Sequence, residues 1–340
     1  MAGTNGTARL TTRCGSGIGL AVLLVAALAA PARAGGPTAL VVEPRNDVTP
    51  AMGRHYLAWA RATGRFSDSP YRVRVLDRET KTLTILNDRG SAFGGGFDGN
   101  AFVYQLAERG NSDLRWINMK TGVRHGFPAS VNSRAWDFHP TVSGNWILFG
   151  RNAVNQGYGY SILLFNTDTL ELRKLATRSD RFGALYPGQV NGRYAVWTRT
   201  GRQSWDVFLY DIAAGTTTRL PRGGFFAQYA PSVTSSGAVY FARSGNGCGV
   251  GVGLAKRPIG GPTTELLTFP KGEDVPETYV FEDSSHVVHF VYAPDATCEG
   301  AGDIYELTDD GGEAAASAGR PAPRPMARAA PKAFDLPYLP

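Results

Sequence analysis

A large aromatic residue recurs along this chain at Trp59, Tyr104, Phe149, Trp197, Phe241 and Phe290, at gaps of 45, 45, 48, 44 and 49 residues. Each closes a short apolar run such as Tyr194-Ala195-Val196-Trp197. A second β-rich run follows, as in Asp206–Tyr210, and then a turn. The turn recurs too, at Asp77-Arg78-Glu79-Thr80, Asn118–Gly122, Asn166-Thr167-Asp168-Thr169 and Asp211–Gly215. Upstream of each first run lies another short strand carrying Pro50, Pro140, Pro187, Pro231 or Pro276, with Gly95 in that place in the second unit. No segment keeps apolar residues at helical spacing, whereas short runs punctuated by Gly and Asp are the strand-and-hairpin signal. A period near 45 with four short strands per unit predicts an all-β chain folded as a single β-propeller.

Counting the units gives six four-stranded blades, over 47–87, 89–127, 136–176, 182–221, 226–269 and 275–312. The last unit shows three strands, and Thr38–Glu43 is a strand without partners of its own. The expectation is that this N-terminal strand completes the last blade and closes the ring, which removes two exposed sheet edges.

Segments such as His139-Pro140-Thr141-Val142-Ser143-Gly144-Asn145-Trp146 and Ala230-Pro231-Ser232-Val233-Thr234-Ser235-Ser236-Gly237 carry a further likeness. They resemble the TolB-like, WD-like (dipeptidyl-peptidase-type) β-propeller repeat of exported bacterial proteins. In place of that repeat's Ser-Pro-Asp-Gly turn stand Val142-Ser143-Gly144 and Thr234-Ser235-Ser236-Gly237. The likeness spans roughly residues 38–312 and implies the fold, not an activity.

Residues 1–34 read as a Sec-type signal peptide. Arg9 and Arg13 form the positive segment, Ile18–Ala30 the apolar one, and Ala32-Arg33-Ala34 the small-x-small cleavage signal. An apolar run of that length is short of the roughly 20 residues a membrane span needs, and no second one follows. The mature chain is therefore expected outside the cell or in the periplasm, without a membrane span. Domains are expected at 35–312 for the propeller and 313–340 for a disordered Ala/Pro/Arg-rich tail. Of the net charge of +6, the leader carries +3 and the tail +2, which leaves +1 for the propeller. A nucleic-acid surface needs a basic face on the folded domain, so no nucleic-acid partner is expected.

The chain shows no Gly-x-Ser-x-Gly elbow, His-Glu-x-x-His, Walker loop or Cys-x-x-Cys. The glycine-rich run 245–251 leads into no helix, which argues against a phosphate loop. The five histidines, His55, His125, His139, His286 and His289, have no ligand spacing. No catalytic residue, metal or cofactor is therefore expected, and a monomer is. After the leader is removed, Cys248 and Cys298 remain, each shortly after the recurring aromatic of adjacent units. In an exported protein that placement predicts a disulfide.

One constellation comes from the repeat register. Asp47, Asp137, Gln228 and Glu273 each stand three residues before a blade proline, near the channel mouth, among aromatics that include Trp136, Tyr186 and Tyr229. These seven are the candidate ligand-binding residues. Rings stack on apolar surface while carboxylates fix orientation, which suits a sugar, a cation or a basic peptide; the expected partner is a protein, a peptide or a carbohydrate. Two function classes follow. One is a non-catalytic binding propeller. The other is an extracellular lyase or glycosidase using carboxylates at the channel mouth.

Overall fold

The computed structural model describes residues 37–41, 46–64, 70–86, 89–108, 110–153, 159–179, 183–202, 204–245, 252–269, 274–282, 286–293 and 303–309. The expectations placed on Glu273, Cys248, Cys298, the leader and the tail lie outside them.

Twenty-four strands are present among the described residues, and no helix. A short strand, β1 (Thr38–Val41), comes first. Then follow β2 (Asp47–Met52), β3 (Tyr56–Ala62), β4 (Tyr71–Asp77) and β5 (Leu83–Leu86). The next four are β6 (Ser91–Asp98), β7 (Ala101–Glu108), β8 (Asn111–Asn118) and β9 (Arg124–Gly126). They are followed by β10 (Trp136–Ser143), β11 (Trp146–Asn152), β12 (Tyr160–Asn166) and β13 (Leu172–Arg178). A fourth group comprises β14 (Leu185–Asn191), β15 (Tyr194–Thr200), β16 (Trp205–Asp211) and β17 (Thr216–Arg219). A fifth comprises β18 (Ala227–Val233), β19 (Val239–Ser244), β20 (Gly253–Arg257) and β21 (Thr264–Thr268). The last described strands are β22 (Asp274–Glu282), β23 (His286–Ala293) and β24 (Asp303–Asp309).

Within each group the strands pair antiparallel in chain order. Pairing assembles them into two four-stranded sheets, β2–β5 and β1-β24-β23-β22, and two eight-stranded ones, β6–β13 and β14–β21. The repeat alone had predicted six separate sheets. Each eight-stranded sheet is joined at its middle by one parallel residue pair, Trp136 with Ser112 and Trp205 with Ala227. There the third strand of one unit meets the first strand of the next. The first strands also pack on one another in sequence, β2 on β6, β6 on β10, β10 on β14, β14 on β18, β18 on β22, and β22 on β2. The N-terminal β1 pairs antiparallel with β24, Thr38 opposite Glu306 and Val41 opposite Ile304.

The recurring features of the sequence have clear physical jobs. The periodic aromatics sit on second strands and are buried to 5% exposure or less. They pack into the cores between successive groups of strands. In the first four groups the recurring turn before the fourth strand is capped by its own first side chain. Asp77, Asn118, Asn166 and Asp211 each accept hydrogen bonds from the amides two and three residues on, at 2.9–3.1 Å. A side chain that satisfies those amides fixes the hairpin locally.

Candidate functional site

The first strands line a central cavity of about 320 Å³. Apart from the single parallel pairs at Trp136 and Ala227, their inward edges have no β-partner among the described residues, so proline is tolerated there. Each strand breaks register at the proline or its glycine counterpart, or, in β14, just after the proline. The shift lies at Thr49-Pro50, Gly94-Gly95, His139-Pro140, Gly188-Gln189, Ala230-Pro231 and Val275-Pro276. Such a bulge re-aims the backbone. Thr49, His139 and Ala230 adopt left-handed φ values of 51°, 46° and 49°, each costing on the order of 1–3 kcal/mol.

The neighbouring strands hold these residues in place. Gly94 N–H donates to Thr49 Oγ1 at 2.8 Å, and His139 N–H to Gln105 Oε1 at 3.2 Å. Thr278 Oγ1 donates to the Ala230 carbonyl at 2.5 Å. Gln189, buried, reaches β22, donating to Val280 O at 2.7 Å and accepting from Val280 N–H at 3.1 Å. With buried Tyr279 it walls the deep part of the cavity.

The outer part is aromatic. Tyr186 and Trp205 are 45% and 38% exposed, and Tyr229 meets Trp205 edge to face at 5.6 Å and 83°. Trp205 opens β16 and Tyr229 lies early in β18, so these rings mark the end at which the first strands begin. Among the described lining residues Glu277 is the only carboxylate, and no lysine or arginine is present. Glu277 Oε2 accepts from Thr49 N–H. Although partly open to the cavity, the carboxyl has so much protein around it that lost hydration raises its pKa to about 7, against the pull of that amide. Burial lowers His139 to about 4, so its ring is neutral at pH 7. Burial raises the Tyr279 hydroxyl to about 12.

The candidates read from the repeat fall into two places. Tyr186 and Tyr229 line the cavity. Asp47 and Asp137 are fully buried at the starts of β2 and β10, each opposite an arginine of the next strand. Asp47 accepts from Arg61 Nε and Nη2 at 2.6 and 2.8 Å. Asp137 accepts from Arg151 at 2.6 and 3.2 Å; burial pushes its pKa up to about 6, against the arginine's pull, so it is charged at pH 7. Gln228, in the same register, is buried and donates to Pro221 O at 3.0 Å. Trp136, half-buried, is outside the lining. Sequence reasoning missed Glu277, Trp205 and Gln189, and found no ligand spacing around His139. Glu277 did carry a signal, because the residue after the proline or its glycine counterpart is otherwise Ala51, Gly96, Thr141, Gly188 or Ser232. Among the described residues no cluster of three or more His, Cys, Asp or Glu is placed to hold a metal.

No family model matches the sequence, and no curated protein matches it. Solved structures do. A TolB-type protein from Agrobacterium tumefaciens superposes with a TM-score of 0.52 at 13% identity, covering 78% of this chain and 91% of that one. Prolyl endopeptidase superposes at 0.50 and 10% identity, over 78% of this chain and 43% of that one. The propeller domain of the trilobed protease from Pyrococcus furiosus gives 0.49 at 9% identity, over 79% and 94%. The chain thus has the fold of a TolB-like β-propeller, of the kind that peptidases also carry. At these identities the likeness concerns fold alone.

Proposed function

We propose that this protein is an exported, non-catalytic β-propeller of six four-stranded blades that binds a ligand or a segment of a partner at its channel mouth. Three contacts support the ring: β22 packs on β2, β1 pairs with β24, and single residue pairs join the eight-stranded sheets, leaving each divisible into two blades. The observation that carries the binding reading is the cavity itself, with exposed aromatics at its rim and one carboxylate within. Exposed rings around a concave site with few polar groups are the usual make-up of a ligand pocket. Asp47, Asp137 and Gln228 act from behind, holding the segments that present the rim.

The lyase or glycosidase reading is weaker. Glycoside hydrolysis uses two carboxyls about 5–9.5 Å apart, and the described lining offers only Glu277. The test is a screen of sugars, peptides and small amines against the mature chain, read by Trp fluorescence and thermal shift. Tyr186→Ala with Tyr229→Ala should abolish binding of the compound returned, and Lys120→Ala, in a distant hairpin turn, should not. Binding unaffected by the tyrosine pair but lost in Lys120→Ala would place the site elsewhere.

A further inference from the structure

We infer that the throat takes an organic cation: an ammonium head, primary or alkylated, on a short apolar body. The inference rests on the reading that the throat is a ligand site, and it deepens that reading. Four observations converge. The cavity is near the lower end of ligand-pocket sizes, about 300–1,000 Å³, so it admits a small molecule or one side chain. Its rim offers Trp205 and Tyr229 as two rings set nearly at right angles, and Tyr186 also belongs to the lining. Ring faces attract cations, most strongly when both are shielded from water. The single acid, Glu277, has no ion-pair partner among the described residues. Finally, Glu277 departs from the repeat, standing where the other five units place Ala, Gly, Thr or Ser. Nothing in the bulge geometry requires a carboxylate there, since the other five strands form theirs without one.

The titratable groups around Glu277 leave the acid alone to answer a cation. They are His139 on β10, Tyr186 on β14, Tyr229 on β18, Tyr279 on β22 and, within range of its charge, Tyr71 on β4. His139 is neutral at pH 7, and burial keeps Tyr186, Tyr279 and Tyr71 protonated. A bound cation therefore stabilises the charged form of Glu277 and expels its proton. With that pKa near 7, binding at pH 7 should release about half a proton per ligand.

The experiment is calorimetry on the full mature chain in buffers of different ionisation enthalpy. The probes are choline, n-butylamine, a lysine tripeptide blocked at both ends, and 3,3-dimethylbutanol, the neutral counterpart of choline. At least one ammonium probe should bind, roughly tenfold or more tighter than the neutral one at pH 8. Proton release should be present at pH 7 and absent by pH 9. Glu277→Gln should abolish the release and weaken the preference severalfold, leaving only what the rings supply; the wild-type proton count stands if that variant does not fold. Binding of the free amines points to a small-molecule ligand, and binding of the tripeptide alone to a lysine side chain of a partner. Equal affinity for 3,3-dimethylbutanol, or binding without proton release at pH 7, overturns the cation. A neutral sugar that binds and is lost in Tyr229→Ala, with no ammonium probe binding, also overturns it while leaving the throat as the site. If no compound of any class binds, both readings fall.

Discussion

Replacing Asp47 by alanine should be among the most damaging single changes available, although Asp47 lies beside a candidate site. Its side chain is fully buried, and Arg61, which holds it at 2.6 and 2.8 Å, is only 2% exposed. The substitution strips the guanidinium of this counter-charge in a place where water cannot replace it. Removing one partner of a buried pair typically costs about 3–5 kcal/mol. For a domain of this size each kcal/mol lowers Tm by about 2–4 °C, so the expected loss is about 6–20 °C. The double variant Asp47→Ala/Arg61→Met should recover much of it, because replacing a whole buried pair by apolar side chains is often close to neutral. Asp137→Ala should cost less, because Arg151 is 20% exposed and can turn toward solvent. Differential scanning calorimetry at pH 7, at two scan rates, measures all four proteins. An Asp47→Ala melting temperature within about 2 °C of wild type, or a double variant no better than the single one, would refute the argument.

Three further outcomes can be checked. Burial raises Glu277 from 4.5 to about 7, so its stabilising share is complete below about pH 4.5 and lost as pH rises through 7. Glu277→Gln should therefore melt like wild type at pH 4.5 and above it at pH 8, by at most about 3 kcal/mol; a lower melting point at pH 8 would contradict this. A Cβ on Gly95 would sit 2.1 Å from the Val103 carbonyl and 2.7 Å from that of Pro140. Gly95→Ala should cost about 1–3 kcal/mol or more in urea melts, with Gly122→Ala, in open space but at φ 73°, costing about 1 kcal/mol. Deleting residues 35–43 removes β1 and frees the edge of β24, so the truncated protein should aggregate or melt earlier; an unchanged Tm would show that β1 contributes nothing to the edge.

Much of the fold was legible because the repeat writes it six times. A buried aromatic on each second strand and a self-capping turn before the fourth are local requirements, and local requirements leave local signals. The grouping into sheets was not legible, because it turns on two residue pairs, Trp136 with Ser112 and Trp205 with Ala227, that carry no pattern. The in-register acids were visible, but their partners were overlooked. Asp47 and Asp137 each have an arginine 14 residues later, Arg61 and Arg151. That spacing brings a first-strand residue opposite a second-strand residue across one hairpin. An acid and a base at a fixed hairpin offset signal a cross-strand pair before they signal a ligand.

The same contrast bears on where function resides in a repeat protein. A feature present in several blades answers a need that every blade has, such as burying a face, closing a hairpin or pairing a charge. The asymmetry that the proposed binding needs has to come from residues that break the repeat. Glu277 breaks it at the proline, and Trp205 supplies an exposed ring from a third strand to a cavity otherwise lined by first and second strands. Gln189 breaks it within the bulge, reaching across to β22 with two hydrogen bonds. These departures converge on one cavity, although their sequence positions span more than seventy residues. Departures without a common purpose would scatter over the outer strands and hairpins, where substitution is least costly.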